Sequence, residues 1–276
     1  MFNKNYYCLV AGLPDLVLNE SRKGLTSLQF KLELADQLNK ADYKLLELLF
    51  RQNDNKNLIN LLLQSDFEFD TLGNYQEEYL KNQITEPTDI EDYMKLFISE
   101  FSSETFNKSP IYSENRLQEL FYINVQKTEN NFIRQWFTFD RNSRNILTAI
   151  NCRKYGYDTE KQLIPDQNPE GLYQALYGKV LKQEMFADEE LPYLAQIFQV
   201  AESTGEASEK EKATDSIKWA FLDEITVFHY FTIEKILSFV IKLQMVDRWS
   251  QLDDDTGKAF LKKLVNELEN SYTFSD

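Results

Sequence analysis

With one histidine in 276 residues, this chain cannot build a histidine-rich zinc site. That residue, His229, stands beside Phe228, Tyr230 and Phe231 and reads as a partly buried core histidine. Cysteine is almost as scarce. Cys8 and Cys152 lie far apart without metal-ligand spacing, which predicts buried free thiols in a reducing compartment. The eight glycines are scattered and form no phosphate-cradling loop or dinucleotide fingerprint. No uncharged apolar run approaches the ~18 residues that a spanning helix needs, and the opening MFNKNYYCLVAGLP is too weak for a secretory signal. Positive charge is short as well: 30 Lys and Arg against 45 Asp and Glu leave a formal net charge of −15. A general nucleic-acid binder, or a protein docking directly on an anionic membrane, needs the opposite sign.

Catalytic patterns are equally sparse. Asp255-Thr256-Gly257 spells the aspartic-protease triplet, but acids precede it and an amphipathic helical pattern follows, so Asp255 or Thr256 is expected to cap a helix. Asp253, Asp255 and Gly257 also miss the calcium-loop spacing. Carboxylates abound without a glycosidase or nuclease frame, and nothing supports a Cys–His nucleophilic pair. The expectation is a protein with no catalytic residue, no cofactor and no metal.

What the chain has is amphipathic periodicity rich in Leu, Phe and Tyr. Residues 5–18 suit a strand or a helix start. Residues 25–39 read as a helix opened by a Thr26–Gln29 capping box. Segments 43–50 and 58–63 follow, separated by a polar run, then a loop at 67–73 and a short helix at 74–83. A helix over 89–101, capped by Asp89, precedes a long one over 114–136. Beyond 165 come a turn-rich piece, a helix at 172–185 and another at 191–201, possible from Pro192 onward. The acid-rich residues 202–212 read as an exposed joint, and 216–245 and 256–270 as further helices. The fold class is therefore mainly α, with segments 1–88, 89–201 and 202–276 as an N-terminal repeat, a central repeat and a C-terminal helical part.

The organising stretch is 129–165. Phe132, Trp136 and Phe137 close one helix, Asp140 to Ser143 form a polar break, and Ser143 caps a second helix carrying Ile146, Leu147 and Ile150. Thr159 and Gln162 have capping-box spacing, and Pro165 ends the element. This predicts an αα-hairpin. Residues 42–63 align on 130–151 at an offset of 88, with Asn57-Leu58 falling on Asn145-Ile146. Two helical hairpins related as a divergent internal repeat are expected.

Asp140, Asn145-Ile146, Arg153-Lys154, Gly156, Glu160 and Leu163-Ile164-Pro165 resemble the core signature of the C subunit of V/A-type rotary ATPases, the d subunit of vacuolar enzymes. The chain also resembles a shorter bacterial subfamily of formally unknown function encoded beside V-type ATPase genes. Residues 231–249 are similar to the last family repeat, with Phe239 to Leu243, Asp247 and Arg248 in place; the Lys-Glu-x-Glu element is reduced and its Asn is missing. The resemblance implies a helical funnel or wedge built from hairpin repeats. It also implies a non-catalytic coupling role on the cytoplasmic face of the membrane, between the central-stalk subunits and the proteolipid ring. The alternative is a helical scaffold or adaptor mediating protein–protein contacts outside the ATPase.

Two sets of candidate residues follow. Asp140, Asn145, Arg153, Gly156 and Pro165 mark a structural corner or an interface. In the structural reading Asn145 bonds a helix start and Asp140 pairs with Arg141 or Arg144; Asn145→Ala is then expected to cost about 1 kcal/mol. The run from 184 to 215 carries nine acids against two lysines, ordinarily a solvated face. Its Glu202, Glu206, Glu209 and Glu211 are the candidates for steering a basic partner.

Overall fold

A computed structural model describes residues 5–18, 24–159, 161–165 and 191–272, with 253–272 described as backbone alone. Among these residues the chain forms ten α-helices and no strand, so the expected mainly α class holds. By packing it divides into two compact units, Met1–Asn39 with His229–Asp276, and Lys40–Phe228. The units group residues by contact, whereas segments 1–88, 89–201 and 202–276 follow chain order.

The first unit holds α1 (Tyr7–Ala11), α2 (Ser27–Gln37) and α10 (Ile233–Tyr272). Residues 7–11 are a short helix, which settles the strand-or-helix ambiguity; Cys8 on it is exposed, not buried. The Thr26–Gln29 capping box forms as expected. Asp247 on α10 accepts the N–H of Ser27, setting a carboxylate at the positive end of α2. Phe30 meets Phe239 edge-on at 5.1 Å in the seam between these helices. The backbone of α10 runs unbroken through 255–257, so no helix starts there and neither Asp255 nor Thr256 is a cap. His229 is partly exposed, while Phe228 and Tyr230 beside it are exposed rather than packed in a core.

The second unit holds α3 (Lys40–Leu63), α4 (Glu77–Thr85), α5 (Asp92–Phe101), α6 (Pro110–Val125), α7 (Asn131–Tyr155), α8 (Pro192–Glu202) and α9 (Ala207–Ile225). Helix α6 packs on α3, α5 and α7; α8 packs on α7 and α9. Phe50, Phe97, Phe121 and Phe137 are fully buried in this unit, and Phe121 meets Phe137 at 87° and 5.1 Å. The predicted start of α8 at Pro192 is found, with Pro in the first turn where its missing N–H costs nothing. The helix predicted at 172–185 lies outside the described residues.

Several expectations fail here. The single helix over 114–136 is two: α6 ends at Val125, and Asn130 caps α7 by accepting the N–H of Ile133 at 3.0 Å. Conversely, the hairpin corners do not exist. Helix α7 runs straight through Asp140 to Ser143, and α3 runs through the polar residues 51–56. Ser143 is no cap; its hydroxyl donates to the carbonyl of Phe139 one turn back, at 2.7 Å. Asp89 does not cap α5 either, whose N-cap position is Glu91. The two segments aligned at the 88-residue offset each lie in one long helix, not in a hairpin.

Candidate functional site

Both long helices bury polar residues: Arg51, Asp54, Asn55 and Asn57 in α3, and Arg141, Asn142, Ser143 and Asn145 in α7. In α7, Asn145 is 1% exposed. Its Nδ2 donates to the carbonyl of Ile164 at 2.8 Å, and its Oδ1 accepts the N–H of the same residue at 2.9 Å. In α3, fully buried Asn57 does the same to Asp70, at 2.9 and 3.0 Å. Each amide satisfies both backbone groups of one residue in the chain leaving its helix, as a neighbouring strand would. The loop is thereby fastened to the flank of the helix it follows.

The matched positions Gln52 and Asp140 touch each other. Gln52 Nε2 donates to Asp140 Oδ2 at 3.1 Å. The same carboxylate accepts from the Tyr122 hydroxyl at 2.9 Å and lies 3.3 Å from Lys218 Nζ. One side chain therefore joins α3, α6, α7 and α9. Burial pushes its pKa up, but Lys218, Tyr122 and Gln52 outweigh that and hold the carboxyl below its ordinary value. Burial and the Asp140 charge push the Tyr122 hydroxyl well above its ordinary value, so it stays a donor. The expected pairing of Asp140 with Arg141 or Arg144 gives way to Lys218; Arg144 instead donates to Glu114 at 2.6 Å.

The α3 copy adds charges that the sequence reading missed. Arg51, 5% exposed, donates to Glu91 at 2.7 Å and Asp54 at 3.4 Å and stacks over the Tyr75 ring. Asp54 accepts the backbone N–H of Asn74 and Tyr75 and the Asn74 amide. Burial raises the pKa of Asp54 despite these bonds and Arg51. Gly73 fits because a Cβ there would stand 2.5 Å from Asp54 Oδ1. The available signal was Arg51 and Asp54 at i, i+3, one turn before Asn57, directly after the mostly apolar stretch Leu45–Phe50.

The other candidates fall in separate places. Gly156 ends α7 in the left-handed region at φ 72°, and the N–H of Tyr157 closes back on the Cys152 carbonyl at 2.9 Å. Pro165 is exposed directly after the fastened Ile164. Arg153 in the last turn of α7 pairs with Glu202 at the end of α8, bringing together a corner candidate and a steering candidate. Glu209 accepts the N–H of Glu206 at the start of α9. Thus Glu202 and Glu209 both make local bonds, and Glu211 lies on α9 with an interaction of its own. Of the run's earlier acids, those at 184–190 lie outside the described residues. Among the described residues no three His, Cys, Asp or Glu side chains are grouped to hold a metal. What these side chains form is a set of bonds between elements: amides fasten loops to helices, and ion pairs join neighbouring helices.

A family model described as "Protein of unknown function (DUF2764)" matches residues 3–272. No curated protein and no solved structure matches the chain. Matched over nearly its whole length, the chain belongs to the DUF2764 family.

Proposed function

We propose that this protein is a non-catalytic coupling subunit of a V/A-type ATPase, seated on the cytoplasmic face between the central stalk and the proteolipid ring. The observation that carries the reading is the repeated asparagine lock. Of the residues that carry the resemblance to the C subunit, Asn145 is here tied by two bonds to Ile164 and Asp140 is tied to three other helices, and Asn57 makes the same pair of bonds to Asp70 88 residues before Asn145. A part that transmits torque needs stiff helix-to-loop joints, and an amide bonded at both edges supplies one. Among the described residues no helix is long and apolar enough to cross a membrane, in keeping with attachment through protein partners. The funnel or wedge arrangement would require α10 to act as a third copy. It keeps the apolar run Phe239–Leu243 but lacks the asparagine.

The test is recovery of the tagged full chain from its native membranes, with identification of what accompanies it. Rotor-ring and stalk proteins are the expected companions. Reproducible absence of the chain from intact ATPase particles overturns the proposal, and stable recovery with unrelated soluble complexes favours the helical adaptor instead.

A further inference from the structure

At one end of the seam between α7, α8 and α9 lies a cavity of about 380 Å³, within the ~300–1,000 Å³ typical of small-molecule sites. Its walls are mostly apolar. Phe139 and Phe221 stack at 4.0 Å, and Tyr193 stands across them at 81° and 76°. Leu191, Pro192, Leu194 and Ile225 add to the apolar lining, Gln135, Thr138 and Asn142 form its neutral polar part, and Glu224 supplies a carboxylate.

The electrostatics of this end favour a cation. Asp223 and Glu224 occupy the last turn of α9, which has no basic residue. Carboxylates there add to the negative end of the helix dipole instead of offsetting it. The Tyr193 hydroxyl donates to Glu224, and its pKa is pushed up to about 12, first by that bond, then by burial and by the charges of Glu224 and Asp223. Arg134 also lines the cavity, but its guanidinium is turned back on its own helix start. Nη1 donates to the Thr128 carbonyl at 2.8 Å and Nη2 to Asn131 at 3.3 Å.

We infer that this cavity binds a small quaternary alkylammonium compound, held by the rings of Tyr193 and Phe221, the latter backed by Phe139, and by the charge of Glu224. Ring faces attract a cation through their quadrupole. A quaternary head has no N–H groups to satisfy, which suits a mostly apolar wall whose carboxylate already accepts the tyrosine hydroxyl. The inference concerns a small ligand within one helical unit and stands apart from the ATPase proposal.

The test uses the full chain and choline as probe, with binding read by calorimetry and by the shift in melting temperature. Its neutral isostere 3,3-dimethyl-1-butanol and the primary amine butylammonium are the controls. Choline is expected to bind about tenfold more tightly than the neutral isostere, and more tightly than butylammonium. Glu224→Gln, at an exposed position, is expected to keep the fold and erase choline's advantage over the isostere. Phe221→Leu tests the ring wall; should it fail to fold, Glu224→Gln still decides. Equal binding of choline and the isostere, tighter binding of butylammonium, or no choline binding to folded protein at millimolar concentration would each overturn the inference.

Discussion

Asn57 and Asn145, 88 positions apart, each close both edges of a side-chain amide on the backbone of one later residue, Asp70 and Ile164. Such a pair of identical contacts, each in the interior of a long helix, ties the sequence repeat to a repeated physical device. Its two bonds per copy leave no buried backbone group of the fastened residue exposed to an apolar wall.

Removing the Asn145 amide therefore strands a buried N–H and a buried C=O of Ile164 together, whereas the Asp70 groups held by Asn57 are only part-buried. Asn145→Ala is expected to lower stability by about 2–4 kcal/mol, more than a lost helix cap, because each unsatisfied buried group costs roughly 1–3 kcal/mol, and Asn57→Ala by less, about 1–3 kcal/mol, because solvent reaches the Asp70 groups more easily. Asn145→Asp should also destabilise, since a carboxylate keeps the acceptor but loses the donor to Ile164. Urea unfolding measures both. A cost near that of an exposed substitution would mean that the lock does not hold in solution.

Asp140 gives a prediction with a sign. Its pKa is lowered in the folded protein, so its stabilisation is present above the unfolded value near 3.9 and is lost only as pH falls through the lower folded value. Asp140→Asn leaves Lys218 without its carboxylate and should cost about 2–3 kcal/mol at neutral pH. The gap between wild type and variant should stay constant down to about pH 5 and close only below about pH 4. A gap unchanged in strong acid would assign the effect to shape instead of charge.

The helical periodicity, the Thr26–Gln29 box and the start of α8 are written in local pattern, which acts over a turn or two. The continuity of α3 and α7 was not. A run such as Asp140-Arg141-Asn142-Ser143 looks like a corner when its partners are unknown, yet Asp140 finds Tyr122, Gln52 and Lys218 from other helices. Long-range burial turned a polar break into a buried stripe. The reverse holds at 126–130: the apolar stripe of 114–136 carries on across a break that Asn130 sets by capping α7. Arg51 with Glu91, 40 residues apart, and the fit of Gly73 to Asp54 carry no local signal.

Two glycines separate backbone strain from space. Gly156 has φ 72° with nothing within 4 Å of an added Cβ, so Gly156→Ala should cost only the left-handed backbone term, about 1 kcal/mol. Gly73 lacks that strain, but its Cβ would stand 2.5 Å from Asp54 Oδ1, which is held by the N–H groups of Asn74 and Tyr75. Gly73→Ala is expected to cost about 2–3 kcal/mol and to loosen the loop it belongs to. Thermal unfolding of the two variants ranks them, and the opposite order would show that Asp54 can move aside.

The acidic run tests whether composition or structure governs the second candidate set. Arg153 and Glu202 pair across α7 and α8 with side chains 21% and 34% exposed, so solvent weakens but does not erase the interaction. A double-mutant cycle of Arg153→Ala and Glu202→Ala should return a coupling of about 0.5–1 kcal/mol, decreasing with salt. The combined replacement of Glu202, Glu206, Glu209 and Glu211 by Gln should then lower the melting temperature, because it removes this pair and weakens the bond from Glu209 to the Glu206 N–H. Steering of a basic partner makes a separate demand on the same variant: slower association with purified stalk subunits and a weaker dependence on salt. Lower stability with unchanged association rates at low salt would leave these acids as internal fasteners of α8 and α9. A coupling of zero between Arg153 and Glu202 would return Glu202 to the solvated face that its composition suggests.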